Sequence, residues 1–190
     1  MCVKKHKIAL TGGIGTGKTY LSRHFAEMGI PVFYADVEAK RLYRQPEFVA
    51  ALCETFSTDI LRQDGAVDMG KMASMVFSDE EMLRKLNAMV HPRVMRMFEE
   101  WAAGQSSSAV MMESAIVYEA DLSGFFDKII VADAPLELRI RRVLLRDPHL
   151  TREDVLQRMS CQMPQEEKCA LADLVVCTGE TYREALANGR

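Results

Sequence analysis

Short apolar runs alternate along this chain with segments whose apolar residues return every three or four positions, the pattern of strands alternating with helices. The run "KIALTGG" ends in glycines, and from Lys18 to Met28 the residues Leu21, Phe25 and Met28 keep helical spacing. Strand, glycine loop, helix is the reading. Gly29 ends that helix and Pro31 opens the next segment, so "GIPVFYAD", with strand formers at Val32 to Tyr34, supplies a second strand and completes a βαβ unit. From Val37 to about Gly104 the pattern is helical almost throughout, broken by polar turn residues from Ser57 to Gly65 and at Ser78 and Asp79. Pro92 is expected in the first turn of a helix running toward Trp101.

"SSSAVMMES" and "FDKIIVAD" are apolar through their middles, as parallel strands covered on both faces should be. In "PLELRIRRVLLRD", Leu136, Ile140, Val143 and Leu144 form one stripe, whereas Arg139, Arg142 and Arg146 share another face. Thr151 followed by Asp154 predicts a capping box that opens a helix through Met159. After "PQEEKCALAD", the run "LVVC" is a last strand and "ETYREALANG" a closing helix. The class is α/β with a parallel sheet, and no internal repeat, low-complexity tract or linker interrupts it.

Composition narrows the field. A chain of 190 residues with 48% hydrophobic content buries the core of one domain with a small appended subdomain or lid. A net charge of −3 excludes a protein that coats nucleic acid, so an anionic ligand must be held by a local cluster of cations. The five cysteines, Cys2, Cys53, Cys161, Cys169 and Cys177, show neither C-x-x-C pairing nor the density of a disulfide scaffold, which fits reduced thiols in a cytoplasm. "MCVKKHKIALTGG" lacks the apolar core of a signal peptide, and no run is long enough to enter a membrane.

Gly12, Gly17, Lys18 and Thr19 satisfy G-x-x-x-x-G-K-[ST], with Gly13 and Gly15 inside the gap. Glycines let the backbone curl around phosphate oxygens so that successive N–H groups point inward, and the following helix adds the positive end of its dipole. Lys18 is then a point charge for the β and γ phosphates, and the Thr19 hydroxyl a ligand for Mg²⁺. Nucleoside triphosphate binding follows. A GTPase would carry N-K-x-D, which is absent; "DLSG" at Asp121 to Gly124 follows no convincing strand, and Glu113 ends a strand singly rather than as the acidic pair of a motor ATPase.

Asp36 ends the second strand, where it serves either as a base that takes the proton of an attacking hydroxyl or as a helix N-cap. A lid helix bearing arginines would stabilise charge on a transferring phosphoryl group. Arg146 is read in that role, and Arg139 as part of a solvated face paired with Glu137 and Asp147. His91 either caps a helix or contacts ligand. The methionines Met69, Met72, Met75, Met82, Met89, Met95 and Met97 are read as helix packing, and no spacing suggests zinc.

Taken in order, "LTGGIGTGKT", "GIPVFYAD", "LNAMVHPRV", "ESAIVYEA", "APLELRIRRVLLRD" and "EEKCALADLVV" resemble the dephospho-coenzyme A kinases over nearly the whole chain. The resemblance implies a P-loop kinase fold with a five-stranded parallel sheet flanked by helices, a helical acceptor-binding region and a lid. The core then spans residues 1–36, 105–140 and 170–190, the helical CoA-binding region about 37–104 and the lid about 141–165. The implied activity is transfer of the ATP γ-phosphate to the ribose 3′-hydroxyl of dephospho-coenzyme A, with Mg²⁺, to give coenzyme A. Another small-molecule kinase and an ATP-binding regulator without turnover are the rival readings.

Carried onto this chain, Asp36 is the base and Lys18 and Arg146 assist catalysis. Gly13, Gly15, Thr16, Gly17, Lys18, Thr19, Tyr20, Arg142 and Arg146 bind ATP; Thr11, Asp36, His91, Glu113 and Glu119 line the acceptor site; Thr19 meets Mg²⁺. A monomer in the cytoplasm, free of nucleic acid and membrane, is expected. Three positions depart from the family pattern: Tyr34 replaces an aspartate, Met69 stands where an arginine is common, and Cys177, Thr178 and Gly179 replace an asparagine and glycine that read adenine. The last change implies weaker base selectivity.

Overall fold

The computed structural model describes residues 5–179, the side chains of Phe77 and Ser78 apart. In chain order its elements are β1 (His6–Thr11), α1 (Lys18–Glu27), β2 (Val32–Tyr34), α2 (Ala35–Leu42), α3 (Pro46–Phe56), α4 (Met69–Ser78), α5 (Glu80–Ala103), β3 (Ala109–Glu113), β4 (Lys128–Asp133), α6 (Leu136–Arg146), α7 (Arg152–Ser160), α8 (Gln165–Leu171) and β5 (Leu174–Cys177). The closing helix expected from "ETYREALANG" lies outside the described residues. The chain divides into two compact units, one made of the residues up to Phe33 and those from Gln105 onward, the other of Tyr34–Gly104.

In the first unit the strands form a sheet ordered β2-β3-β1-β4-β5, with β1 parallel to β3 and β4, and β4 parallel to β5. The two-residue period of a strand sorts β1 between two cores. Ile8 and Leu10 join Leu21 and Phe25 of α1 on one face, while Ala9 packs with Val117 and Ile129 on the other. With both faces covered, β4 is buried continuously from Ile129 to Ala132, which is why its sequence is an unbroken apolar run. Chain order reverses across β1, with β3 on one side and β4 on the other. That places a switch point, the usual crevice of an open α/β sheet, at the carboxyl end of β1 where the glycine loop begins.

Ile140 and Val143 of α6 pack on Val155 of α7, with Ile14 of the glycine loop, Leu144, Leu150 and Met159 around them. Leu136, expected on the same stripe, is about half exposed at the start of α6. Helix α7 opens with the predicted capping box: Thr151 Oγ1 accepts from the Asp154 N–H at 3.1 Å, and the Asp154 carboxylate accepts from the Thr151 N–H at 2.8 Å.

The second unit is helical. Asp68 caps α4 through the N–H groups of Gly70 and Lys71, and Asp79 caps α5 through those of Glu81 and Met82. Phe48, Leu52, Phe56, Met72, Met95 and Phe98 are buried, Tyr43 meets Phe48 edge-on at 5.5 Å, and the Arg93 guanidinium lies 5.1 Å from the Phe48 ring centre. Met72 and Met95 therefore serve packing as expected. Pro92 does not open a helix; it sits inside the 24-residue α5. Proline cannot donate to the carbonyl one turn back. The carbonyl so freed is that of Ala88; one residue on, the Arg93 guanidinium donates to the Met89 carbonyl at 2.8 Å.

Thr151→Ala removes the side-chain half of the capping box, the acceptor for the Asp154 N–H, and is expected to cost about 1 kcal/mol of stability, read as a lower denaturation midpoint with an unchanged slope.

Candidate active site

Between β1 and α1 the backbone turns through Gly12 at φ 139°, Gly15 at φ 80° and Gly17 at φ 89°. Gly15 has no alternative: besides its left-handed φ, a Cβ there would stand 2.5 Å from the Arg139 carbonyl oxygen. Behind the loop, α1 starts at Lys18 with no acidic residue in its first turn, so its leading amides and dipole favour an anion. The Lys18 ammonium donates to the carbonyls of Gly12 at 2.8 Å and Gly13 at 3.2 Å, which holds the cation across the mouth of the loop.

A pocket of about 180 Å³ lies here, lined by Gly15, Gly17, Lys18, Thr19, Tyr20, Arg142, Val143 and Arg146. It gathers three cations and no carboxylate, the local positive field that a chain of net charge −3 needs if it is to hold a polyphosphate. A larger cavity, about 640 Å³, is lined by Asp133, Glu166, Leu136, Leu156, Met159 and Met163 among others. Its two carboxylates outnumber its one cation, Arg139, whereas the smaller pocket has three cations and no carboxylate, so size does not select the polyphosphate site.

The arginines of α6 are used unequally. Arg146 is exposed, lines the pocket and pairs with the neighbouring Asp147 at 2.9 Å. Arg142 donates to the Thr178 hydroxyl at 2.9 Å, to the Thr178 carbonyl, and to the Gly15 carbonyl at 3.4 Å. Thr178 is itself buried; its N–H donates to the Asp133 carbonyl at 2.7 Å and its hydroxyl meets the Thr16 carbonyl. The departure at Thr178 thus fixes Arg142 and the loop. Arg139 is not on a solvated face. It is 8% exposed and donates through Nε to the Ile14 carbonyl at 3.1 Å, and burial pushes its guanidinium below its ordinary range, opposed by Asp133 and Glu166. Glu137, its expected partner, instead pairs with Arg152 at 2.6 Å.

Glu113 ends β3 opposite Leu10. Its carboxylate accepts from the Thr19 hydroxyl at 3.2 Å and the Ser22 hydroxyl at 3.0 Å. That neighbourhood belongs to the phosphate loop. Thr16 turns inward, fully buried, with its hydroxyl on the Gly13 carbonyl at 2.9 Å, and neither it nor Gly13 lines the small pocket. Thr11, the last residue of β1, is fully buried and its hydroxyl has no partner among the described residues. Glu119 holds a buried cation: the Lys168 ammonium, 0% exposed, donates to it at 2.7 Å and to the Ala115 carbonyl at 2.7 Å. The Met163 N–H donates to the same Glu119 oxygen at 3.0 Å.

Two predicted residues lie in the helical unit. Asp36 is exposed in the first turn of α2; the N-cap of that helix is Tyr34, so Asp36 is not the cap. His91 is half-buried inside α5, and burial lowers its imidazole from the ordinary 6.5, keeping it neutral near pH 7. Sequence reasoning passed over Gln162 and Gln165, whose amide oxygens accept the N–H groups of Ile14 and Gly13, each at 2.9 Å. The available signal was Gln162 and Gln165 on either side of Pro164, one in the short link after α7 and the other opening α8, a stretch that carries no periodicity.

Among the described residues no cluster of His, Cys, Asp and Glu suits a metal ion held by protein alone, and no helix is long and apolar enough to cross a membrane. The family model described as dephospho-CoA kinase matches residues 6–183. The dephospho-CoA kinase of Deinococcus radiodurans is 38% identical over 173 residues, 90% of this chain and 82% of that one. That of Bacillus licheniformis is 35% identical over 185 residues, 95% and 91% of the two chains. The solved structure of TT1252 from Thermus thermophilus superposes with a TM-score of 0.85 at 34% identity, over 97% of both chains. Dephospho-CoA kinase from Campylobacter jejuni, at 23% identity and TM-score 0.59 over 96% of this chain and 92% of that one, shares the fold.

Glu119→Ala strands the buried Lys168 ammonium and is expected to cost about 3–5 kcal/mol. Lys168→Met costs less, because the Glu119 side chain retains 22% exposure, and adding it to Glu119→Ala recovers part of the loss; a double-mutant cycle by urea unfolding reads the coupling.

Proposed function

The chain belongs to the dephospho-CoA kinase family and phosphorylates dephospho-CoA with ATP, the final step of coenzyme A biosynthesis; from that premise we propose how its residues divide the work. The observation that carries the assignment is the small cationic pocket over the glycine loop, where Lys18, Arg142 and Arg146 converge on the head of α1. The triphosphate lies there, on the amides from Gly15 to Thr19, with Tyr20 at the pocket wall.

Asp36 acts as the base. Two residues beyond β2, exposed and not spent on capping, its carboxylate takes the proton of the ribose 3′-hydroxyl as that oxygen forms a bond to the γ-phosphorus. The bond from phosphorus to the bridging oxygen breaks, ADP leaves, and Lys18 and Arg146 offset the charge that builds on the transferring group and the leaving oxygen. Residues of about 141–165 serve as the lid that brings Arg146 over the phosphates.

Mg²⁺ is the one ion the chemistry calls for, and the donors present fit it: Thr19 and Glu113 offer hard oxygens 3.2 Å apart beside the loop. Bound with the nucleotide it would neutralise phosphate charge. This reassigns Glu113 from acceptor cleft to metal side, while Glu119 is kept for Lys168. The acceptor is then left to the helical region of about 37–104, where neutral His91 can exchange hydrogen bonds. The protein is read as a cytoplasmic monomer whose partners are ATP and dephospho-CoA, without nucleic acid or membrane; its net charge and its unpaired Cys53, Cys161, Cys169 and Cys177 agree with that setting.

Asp36→Asn is expected to lower kcat by about two to four orders of magnitude with ATP affinity unchanged, the scale of a lost general base. Coenzyme A formation at the parent rate would remove Asp36 from that role.

A further inference from the structure

The first turn of the phosphate loop is held by side chains that reach it from the link after α7 and from the first residue of α8. Gln165, 8% exposed, accepts the Gly13 N–H at 2.9 Å and donates to the Ala132 carbonyl at 3.0 Å. That carbonyl is also the atom that a Cβ on Gly12 would strike at 2.5 Å, so strand β4 and the loop meet at this point. Ile14 is fixed on three sides: its N–H donates to Gln162 at 2.9 Å, its carbonyl accepts from Arg139 at 3.1 Å, and its side chain enters the core between α6 and α7.

We infer that Gln165, seconded by Gln162, is a positioning residue that sets the curvature of the phosphate loop and so the affinity for the triphosphate. The inference rests on the reading of this loop as the nucleotide site. Gly13 and Ile14 spend their amides on the two glutamines, which divides the loop into a braced half and a phosphate-holding half that starts at Gly15. Removing the Gln165 amide leaves a buried N–H and a buried carbonyl without partners, and swinging the first turn toward water is the cheapest relief. The inward amides of the second half then lose their common focus. Gln165 touches no reacting atom, so its loss should act on ATP and not on the acceptor.

The test is calorimetric titration of the full chain with MgATP, together with steady-state kinetics for both substrates. Gln165→Leu is expected to weaken ATP binding about 10- to 100-fold, the usual consequence of two stranded buried groups, with the KM for dephospho-CoA within about twofold of the parent. Gln165→Glu supplies a readout that survives if the leucine variant fails to fold. Its carboxylate keeps the acceptor for Gly13 but cannot donate to Ala132, so one of the two bonds is retained. ATP affinity of Gln165→Glu should therefore be about 3- to 10-fold weaker than that of the parent, the scale of one lost hydrogen bond. Gln157→Leu, an exposed glutamine on α7, is the control and should match the parent. A parent that binds no MgATP would sink the nucleotide-site reading itself. A parent that binds, with Gln165→Leu equally tight or equally impaired toward both substrates and Gln165→Glu as tight as the parent, would overturn the brace.

Discussion

Backbone amides cannot be neutralised, moved or mutated away, and this structure concentrates them at one point: the loop from Gly12 to Gly17 curls directly into the first turn of α1. A helix start carries donors with no carbonyl one turn back, and a curled loop adds more aimed the same way. Such a cluster of positive dipole ends is tolerated because an anion belongs there. The surrounding architecture serves that constraint. The sheet order puts β1 at the switch point, so the loop emerges where neighbouring strands diverge, and α6 crosses close enough for the Arg139 carbonyl to exclude any side chain at Gly15.

Charge follows the same logic. The protein as a whole is acidic, yet the pocket over the loop is lined by Lys18, Arg142 and Arg146 without a carboxylate. Acidic groups near it have fixed tasks: Glu113 accepts from Thr19 and Ser22, and Asp147 pairs with Arg146. Arg142 is tied to Thr178, so its guanidinium is presented to the pocket in one orientation and loses little freedom when it meets an anion. The buried cation Lys168 is matched by Glu119.

What could be read in the sequence was what depends on local spacing. The strand, glycine loop and helix at the start, the capping box at Thr151 and Asp154, and the alternation that makes a parallel sheet are all encoded within a few residues of themselves. What could not be read depends on what comes to lie against a residue. Helical spacing puts Arg139 and Arg142 on one face but does not say that the phosphate loop covers it, and Arg139 is therefore buried rather than solvated. Lys168 and Glu119 are 49 positions apart, and Gly13 and Gln165 are 152, distances at which no pattern in one sequence pairs them. Pro92 misled for the opposite reason: a local rule about helix starts yielded to tertiary packing along α5.

The central claim is that a backbone cradle at the head of α1 grips the triphosphate, and Gly15 is where that cradle tolerates no side chain. Substituting Gly15→Ala and titrating the folded variant with MgATP tests it most directly. The account predicts that the added methyl, facing the Arg139 carbonyl at 2.5 Å and forced to a left-handed φ, lowers ATP affinity by about 100-fold or more while circular dichroism stays that of the parent. A folded Gly15→Ala protein that binds MgATP as tightly as the parent would contradict it.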